Sequence, residues 1–184
     1  KEEDFFIKWL IYEDASVNAL IDDIRIAAVL REAAELFGQP EYSDTADRII
    51  ETISRIQTNN GYTVDYYDWQ VEFPAQRVTL SYLIDDVPKD MNADRVLENV
   101  DASEVFFPEY FDVVNEVYVK SEVVHPIDQL LIAINRERIG LSSDLFEEWL
   151  KTEWAEEGRL FGRYDRETLQ PAVRYESLAM YFFM

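Results

Sequence analysis

Asp22 and Asp23 are the residues whose type and spacing most directly suggest chemistry. They open the strongest helical pattern in the chain. Asp22 stands four residues ahead of Ile26, and Asp23 four and seven ahead of Ala27 and Leu30, so both lie on or beside the apolar stripe. A carboxylate at a helix start can cap it by accepting free N–H groups at the positive end of the dipole. A pair exceeds what a cap requires, which leaves one carboxylate to face a cleft, where it can take or give a proton. Other reactive groups are scarce. There is no cysteine, which excludes disulfides, thiolate metal sites and Cys nucleophiles. His125 is the single histidine and precedes Pro126; a metal site needs several ligands, so it reads as structural or exposed. Asp44, Asp47, Glu51, Asp85 and Asp86 lack the EF-hand spacing with its central glycine. No glycine loop for phosphate and no Gly-x-Ser-x-Gly elbow occurs, and neither a metal nor a cofactor is expected.

The elements that must position these groups are mostly helical. Residues 5–12 read as the tail of an amphipathic helix. Asp22 to Phe37 carries Ile26, Val29, Leu30, Ala33 and Phe37 at helical spacing and is stopped by Gly38 and Pro40. Tyr42 to Thr58, opened by Ser43 or Asp44, places Ala46, Ile49, Ile50, Ile53 and Ile56 on one face. Asn59-Asn60-Gly61 is a turn signal, and Tyr62 to Val71 alternates as a short strand or hairpin arm. Further helices are predicted over 77–85 and 93–100. Pro108 predicts one over 109–121, and Pro126 one over 127–139 closed by Gly140. Another is predicted over 145–156 behind Ser142-Ser143-Asp144, and a last one from Ala172 onward. About eight helices with short connections and one small β excursion suggest stacked helical hairpins.

The chain has 184 residues, 48% of them hydrophobic and 14% aromatic, enough apolar material for one sizeable core. A single domain over 1–184 is expected. Seventeen Lys and Arg against 38 Asp and Glu give a net charge of −21, which repels phosphate backbones and anionic headgroups. Nucleic-acid binding and docking on a membrane surface are therefore excluded as main activities, and no apolar run of about 18 residues offers membrane insertion. Neutral or cationic partners are favoured. The first residues do not form a signal peptide, and the chain begins without Met and stops inside Leu178–Met184, an apolar run; a piece of a longer protein is expected.

The segment from Ala19 to Phe37 resembles the signature of glycoside hydrolase family 8. Ala19, Asp23, Ile26, Ala27, Leu30, Ala33 and Phe37 fit that pattern without a gap, whereas Leu20, Ile21, Asp22, Val29 and Arg31 depart from it, and Ile21 stands where the family has its first Asp. Trp9 with the loop 13–18 resembles the helix end and extended loop before the signature. Phe107-Pro108-Glu109-Tyr110-Phe111 is similar to the family's aromatic Asn-Pro-Ser-Tyr-like helix entry. Val173-Arg174-Tyr175-Glu176-Ser177-Leu178-Ala179 resembles the motif that carries the general base in many members, with Glu176 in place of Asp.

The resemblance implies an all-α (α/α)6 toroid of helical hairpins, of which this chain would be the C-terminal part. It implies hydrolysis of a β-linked polysaccharide by inversion, where two carboxylates about 6.5–9.5 Å apart protonate the leaving oxygen and activate water. Asp22, Asp128 and Glu176 are the candidate catalytic residues. Trp9, Tyr12, Asp23, Arg174 and Tyr175 are the candidate substrate contacts. The family's general acid lies well upstream of the signature and is not expected within this chain. The partner implied is a polysaccharide or oligosaccharide, neutral or amino-sugar in view of the charge, and the implied location is extracellular or cell-surface anchored. Tyr62, Tyr66, Tyr67, Trp69 and Phe73 add aromatic faces suited to sugar rings or to core packing, and Trp149 and Trp154 read as packing residues. Two other readings stay open: a non-catalytic carbohydrate-binding or exopolysaccharide-assembly protein on the same fold, favoured by Ile21, and an acidic helical interaction module.

Overall fold

The computed structural model describes residues 5–83 and 92–183. Its described residues form two compact units, one of residues 5–78, 92–93 and 112–115, the other of residues 79–83, 94–111 and 116–183.

The first unit is built on α1 (Leu20–Phe37) and α2 (Pro40–Ile56), which pack on each other. Proline begins α2 because a first-turn N–H has no helical partner to lose. Gly38 ends α1 in the left-handed region at φ 64°, its N–H donating to the Ala34 carbonyl. The buried face of α2 is Ala46, Ile49, Thr52 and Ile53; of the predicted face Ala46, Ile49 and Ile53 are buried, Ile50 and Ile56 are half-buried, and Thr52 joins them. On α1 the buried face is Leu20, Ile21, Asp23, Ile24 and Ala27, whereas Ile26, Val29 and Phe37 are exposed. The helix is apolar on more than one side, so periodicity alone selected the wrong stripe.

After α2 the chain turns through β1 (Thr58–Asn59) and β2 (Tyr62–Thr63), an antiparallel pair with Asn59 opposite Tyr62. Asn60 and Gly61 have φ of 49° and 81°, the double positive φ of a type I′ hairpin turn. Strands β3 (Tyr67–Asp68) and β4 (Phe73–Pro74) form a second antiparallel pair, and Val17 bridges to Asp68 on β3's other side.

The strands β5 (Arg77–Thr79), β6 (Tyr110–Asp112) and β7 (Val117–Val119) form a sheet in that order. They replace two predicted helices. The 77–85 segment is a strand followed by a single 3-10 turn, Leu80–Tyr82, with residues 84 and 85 outside the described part. The 109–121 segment is a hairpin. Asp112 stops any helix there by accepting the N–H groups of Val114 and Asn115 with its own carboxylate, and Val117-Tyr118-Val119 is β-branched and aromatic.

In the second unit, α3 (Ala93–Glu98) is followed by α4 (Pro126–Arg138) and α5 (Asp144–Glu157). Its core is aromatic. Phe106 and Tyr164 meet Trp149 edge-on at 4.8 and 4.9 Å between centroids, and Phe107 lies 6.0 Å from Phe146. Trp149 is buried, as predicted, while Trp154 is exposed and meets Tyr181 edge-on. Strands β8 (Val123–Val124) and β9 (Tyr164–Asp165) pair antiparallel. The helix predicted from Ala172 is instead an irregular, bent stretch, with Pro171 bridged to Tyr164 and Glu176 to Phe161; only α6 (Met180–Phe183) is helical. The 5–12 segment is likewise not helical. Helix predominates, but nine short strands among the described residues replace the single β excursion expected.

Candidate functional site

In the first unit the acidic pair sits in the first turn of α1. The N–H groups of Asp22 and Asp23 both donate to the Ala19 carbonyl, and no side chain caps this helix start, so the capping role open to these carboxylates is not the one they take. Asp22 is half-buried. Asp23 is 1% exposed, and its Oδ2 accepts from Asn18 Nδ2 at 2.7 Å. Burial pushes the Asp23 carboxyl up to about 7; the Asn18 hydrogen bond opposes this and the neighbouring charge of Asp22 adds to it.

Asn18 is the hub of this arrangement. Its second amide proton goes to Gln57 Oε1 at 2.7 Å, and its Oδ1 accepts from the Tyr67 N–H at 2.7 Å. Gln57 passes the chain on, donating Nε2 to the Val64 carbonyl. Asp65 is also buried: its carboxylate accepts from Arg77 Nε at 2.8 Å and its carbonyl from the Leu20 N–H at 2.8 Å, which ties the hairpin region to the start of α1. Asn18, Gln57 and Asp65 were not singled out by sequence reasoning. An apolar-flanked amide just before a helix is the only local signal, and the partners that give it meaning lie 39 and 49 residues away.

The aromatic residues flank this start. Trp9 is 58% exposed and Tyr12 66% exposed, on a loop whose carbonyls at Tyr12 and Glu13 accept from Lys8 Nζ. The Trp9 N–H donates to the Val17 carbonyl and the Trp69 N–H to Ser16, so the strand just before the acidic pair lies between two tryptophan-bearing segments. Phe6 stacks on both Tyr67 and Trp69, with centroids at 5.4 and 5.8 Å. Trp9, Asp22 and Asp23 thus belong to one neighbourhood, with Tyr12 at its outer loop.

The other candidates lie in the second unit. Asp128 is half-buried in the first turn of α4, its N–H donating to the His125 carbonyl; no side chain caps this helix, and His125 is exposed as expected. Arg174, Tyr175 and Glu176 are exposed on this bent stretch rather than on a helix. Glu176 Oε2 accepts from the Tyr181 hydroxyl at 3.0 Å, and that hydroxyl accepts in turn from the Leu160 N–H. The Tyr175 ring packs against Gly162, where an added Cβ would come within 2.0 Å of its Cε2. Nearby, Glu153 is raised above the usual carboxylate range by burial, and the Tyr164 hydroxyl donates to it at 2.9 Å. A separate apolar groove of about 640 Å³ runs between α4 and α5 past Leu130, Phe146, Trp154 and Phe183, and contains none of the predicted site residues. Among the described residues no group of three or more His, Cys, Asp or Glu could hold a metal, and no helix is long and apolar enough to cross a membrane.

Comparison with known proteins gives these features a context. No family model matches the chain. The curated protein "Putative lipoprotein YdaJ" of Bacillus subtilis (strain 168) is 32% identical over 190 residues, which cover 95% of this chain and 52% of that protein. The chain therefore spans about half the length of the curated relative it matches. Among solved structures, PssZ from Listeria monocytogenes is 34% identical with a TM-score of 0.89, over 98% of this chain and 60% of that one. An alpha-amylase from Clostridium perfringens is 22% identical with a TM-score of 0.80, over 97% of this chain and 57% of its own. An endoglucanase from Komagataeibacter sucrofermentans is 14% identical with a TM-score of 0.69, over 96% and 65% of the two chains, and in these last two the likeness is one of fold. This chain shares its predominantly helical fold with these structures.

Proposed function

We propose that this chain is part of a carbohydrate-active protein, a glycoside hydrolase that cleaves a β-linked polysaccharide by inversion. The observation that carries this reading is the start of α1, where a half-buried carboxylate, Asp22, adjoins a buried one, Asp23, between two tryptophan-bearing segments on a fold shared with an endoglucanase. Sugar rings offer apolar C–H faces to Trp and Tyr and hydroxyls to carboxylates, which is the chemistry this neighbourhood provides. In this reading the toroid is completed by the remainder of the parent protein, which also supplies the general acid. Glu176 is the base, with Asp128 its alternative; Arg174 and Tyr175 hold the sugar beside it. Trp9 and Tyr12 contact substrate with Asp22 as a further carboxylate of the site, and Asp23, 1% exposed and bonded to Asn18, supports this turn and is not the substrate contact expected of it. The substrate is a neutral or amino-sugar polymer, and the protein acts at the cell surface, in keeping with the name of its lipoprotein relative.

The test is reducing-end release from β-glucans, chitosan and acetylated amino-sugar polymers by the full-length protein. Glu176→Gln is expected to lower the rate about 100-fold or more, the size of a lost acid–base contribution, and Asp22→Asn to lower it through loss of a carboxylate charge at the site. Unchanged rates in both variants would remove these roles.

A second reading is favoured by one observation. Ile21, at the position of the signature's first Asp, is 9% exposed and belongs to the packed face of α1. A binding protein with a decayed catalytic centre would then retain the aromatic segments alone. It predicts heat of binding with oligosaccharides by titration calorimetry and no release of reducing ends.

A further inference from the structure

We propose that Asn18 is a positioning residue: its carboxamide fastens the aromatic segment 66–69 to the acidic first turn of α1 and so sets where the aromatic rings stand relative to Asp22. The functional half of this rests on the carbohydrate reading above; the positional half does not.

The hydrogen bonds of Asn18 leave it no slack. A carboxamide has two N–H donors and one carbonyl acceptor. Here both donors are engaged, by Asp23 Oδ2 and Gln57 Oε1, and the acceptor takes the Tyr67 N–H, all three at 2.7 Å. The residue is 2% exposed and Gln57 is fully buried, so water cannot substitute for a lost partner. The three partners come from three different places: the first turn of α1, the residue that closes α2, and strand β3. Tyr67 stacks on Phe6, which also stacks on Trp69, so an anchor on the Tyr67 backbone is transmitted to both rings. The backbone around Asn18 is held as well, by Val17 to Trp9 and by Ser16 to Trp69. Aspartate at this position would keep the acceptor for Tyr67 but would set an oxygen against both Asp23 and Gln57 Oε1. Asparagine is the residue that satisfies all three.

The test is hydrogen exchange at the Tyr67 amide in the full-length protein, followed by steady-state kinetics on whichever polymer it cleaves. Asn18→Ala and Asn18→Asp are expected to speed Tyr67 exchange about tenfold or more while amides of α5 keep their rates. Asn18→Asp with Asp23→Asn returns a donor to the pair and is expected to slow Tyr67 exchange back toward the native rate. Ile49→Val, a buried change in α2, lowers stability without touching the Asn18 bonds and serves as the control; it should leave Tyr67 exchange and KM alone. In an active parent, Asn18→Ala should raise KM about tenfold with kcat much less affected. Unchanged Tyr67 exchange in Asn18→Ala and Asn18→Asp overturns the proposal whatever the enzyme does. Faster Tyr67 exchange with unchanged KM overturns the role in placing substrate. Faster Tyr67 exchange in a protein that cleaves none of the polymers supports the fastening role and counts against the hydrolase reading alone.

Discussion

Asp23 is the carboxyl group with most at stake in this chain, because it is shut away from water beside a second acid. Its pKa in the fold is raised from an ordinary 3.8 to about 7, so the folded state holds its proton over a range in which the unfolded chain has released it. Where the native state binds more protons, stability falls as pH rises. The contribution of Asp23 is thus fully present below about pH 4 and is lost progressively as pH climbs through about 7, at a slope of at most about 1.4 kcal/mol per pH unit. Asp23→Asn keeps an oxygen for Asn18 but cannot ionise. We expect urea midpoints of this variant to vary less than the parent's between pH 4 and 7 and to exceed them at pH 8. A variant whose midpoint follows the parent's pH dependence would mean that Asp23 is ionised and solvated in the fold. The acidic pair itself was legible in the sequence, since two adjacent carboxylates beside an apolar stripe are unusual. Their support was not. Asn18 and Gln57 are ordinary amides until a contact 39 residues long brings them together, and no local pattern encodes such a contact.

At the scale of elements, the last stretch of the chain depends on one glycine and one arginine. Gly162 is buried against the Tyr175 ring, and its N–H donates to the Tyr175 carbonyl. Gly162→Ala would drive the ring outward, because a methyl group there overlaps three ring carbons. We expect a stability loss of about 1–3 kcal/mol, typical of overpacking. The displacement of Tyr175 should reduce sugar turnover as far as Tyr175→Ala does. Combining the two changes should relieve the clash, so the double variant is more stable than the sum of the singles predicts; simple additivity in chemical denaturation would show that ring and glycine do not meet.

Arg166 plays a comparable part further back. Its guanidinium donates to the carbonyls of Phe106, Phe107 and Ser121 and pairs with Glu109 at 2.6 Å, while Glu109 also accepts the Ser121 N–H. With only 11% of the arginine side chain and 22% of the glutamate exposed, Arg166→Ala should cost about 3–5 kcal/mol, and Arg166→Lys, which lacks the planar fork, should recover little of it; thermal unfolding measures both. Elements bounded by local chemistry were readable: Gly38, Pro126 and Gly158 mark helix ends where they were expected, although α2 begins at Pro40 and not at the Ser43 or Asp44 cap expected for it. The failures fell where nonlocal pairing decides. The proline at 108 suggested a helix start, but the strands it precedes are fixed by partners such as the Leu80 N–H on the Glu109 carbonyl. The 172–176 stretch is pinned in a non-helical, bent course by Phe161 and Arg163, whose approach the sequence does not announce.

For the molecule as a whole, the largest electrostatic influence is a charge of −21 on 184 residues. Such an excess destabilises a compact chain by self-repulsion and biases which polymers can approach it. Both effects are screened by salt, since the Debye length falls from about 30 Å at 0.01 M to about 8 Å at 0.15 M. Stability and substrate choice should therefore respond to salt in separable ways. The folding midpoint should rise with sodium chloride over this range, because repulsion among carboxylates is relieved whatever the ligand. In the hydrolase reading, KM for a neutral β-glucan should stay nearly constant, because stacking and hydrogen bonds would hold it. KM for chitosan, a polycation, should increase severalfold as its attraction to the carboxylates is screened. A KM that is independent of salt for chitosan, together with a midpoint that rises, would show that the charge is a solvated coat with no part in selecting substrate. The reverse pattern, a KM for chitosan that climbs with salt while the neutral polymer is unaffected, would make the acidic excess a specificity device acting on amino-sugar polymers, and the first turn of α1 would be the place to look for its short-range counterpart.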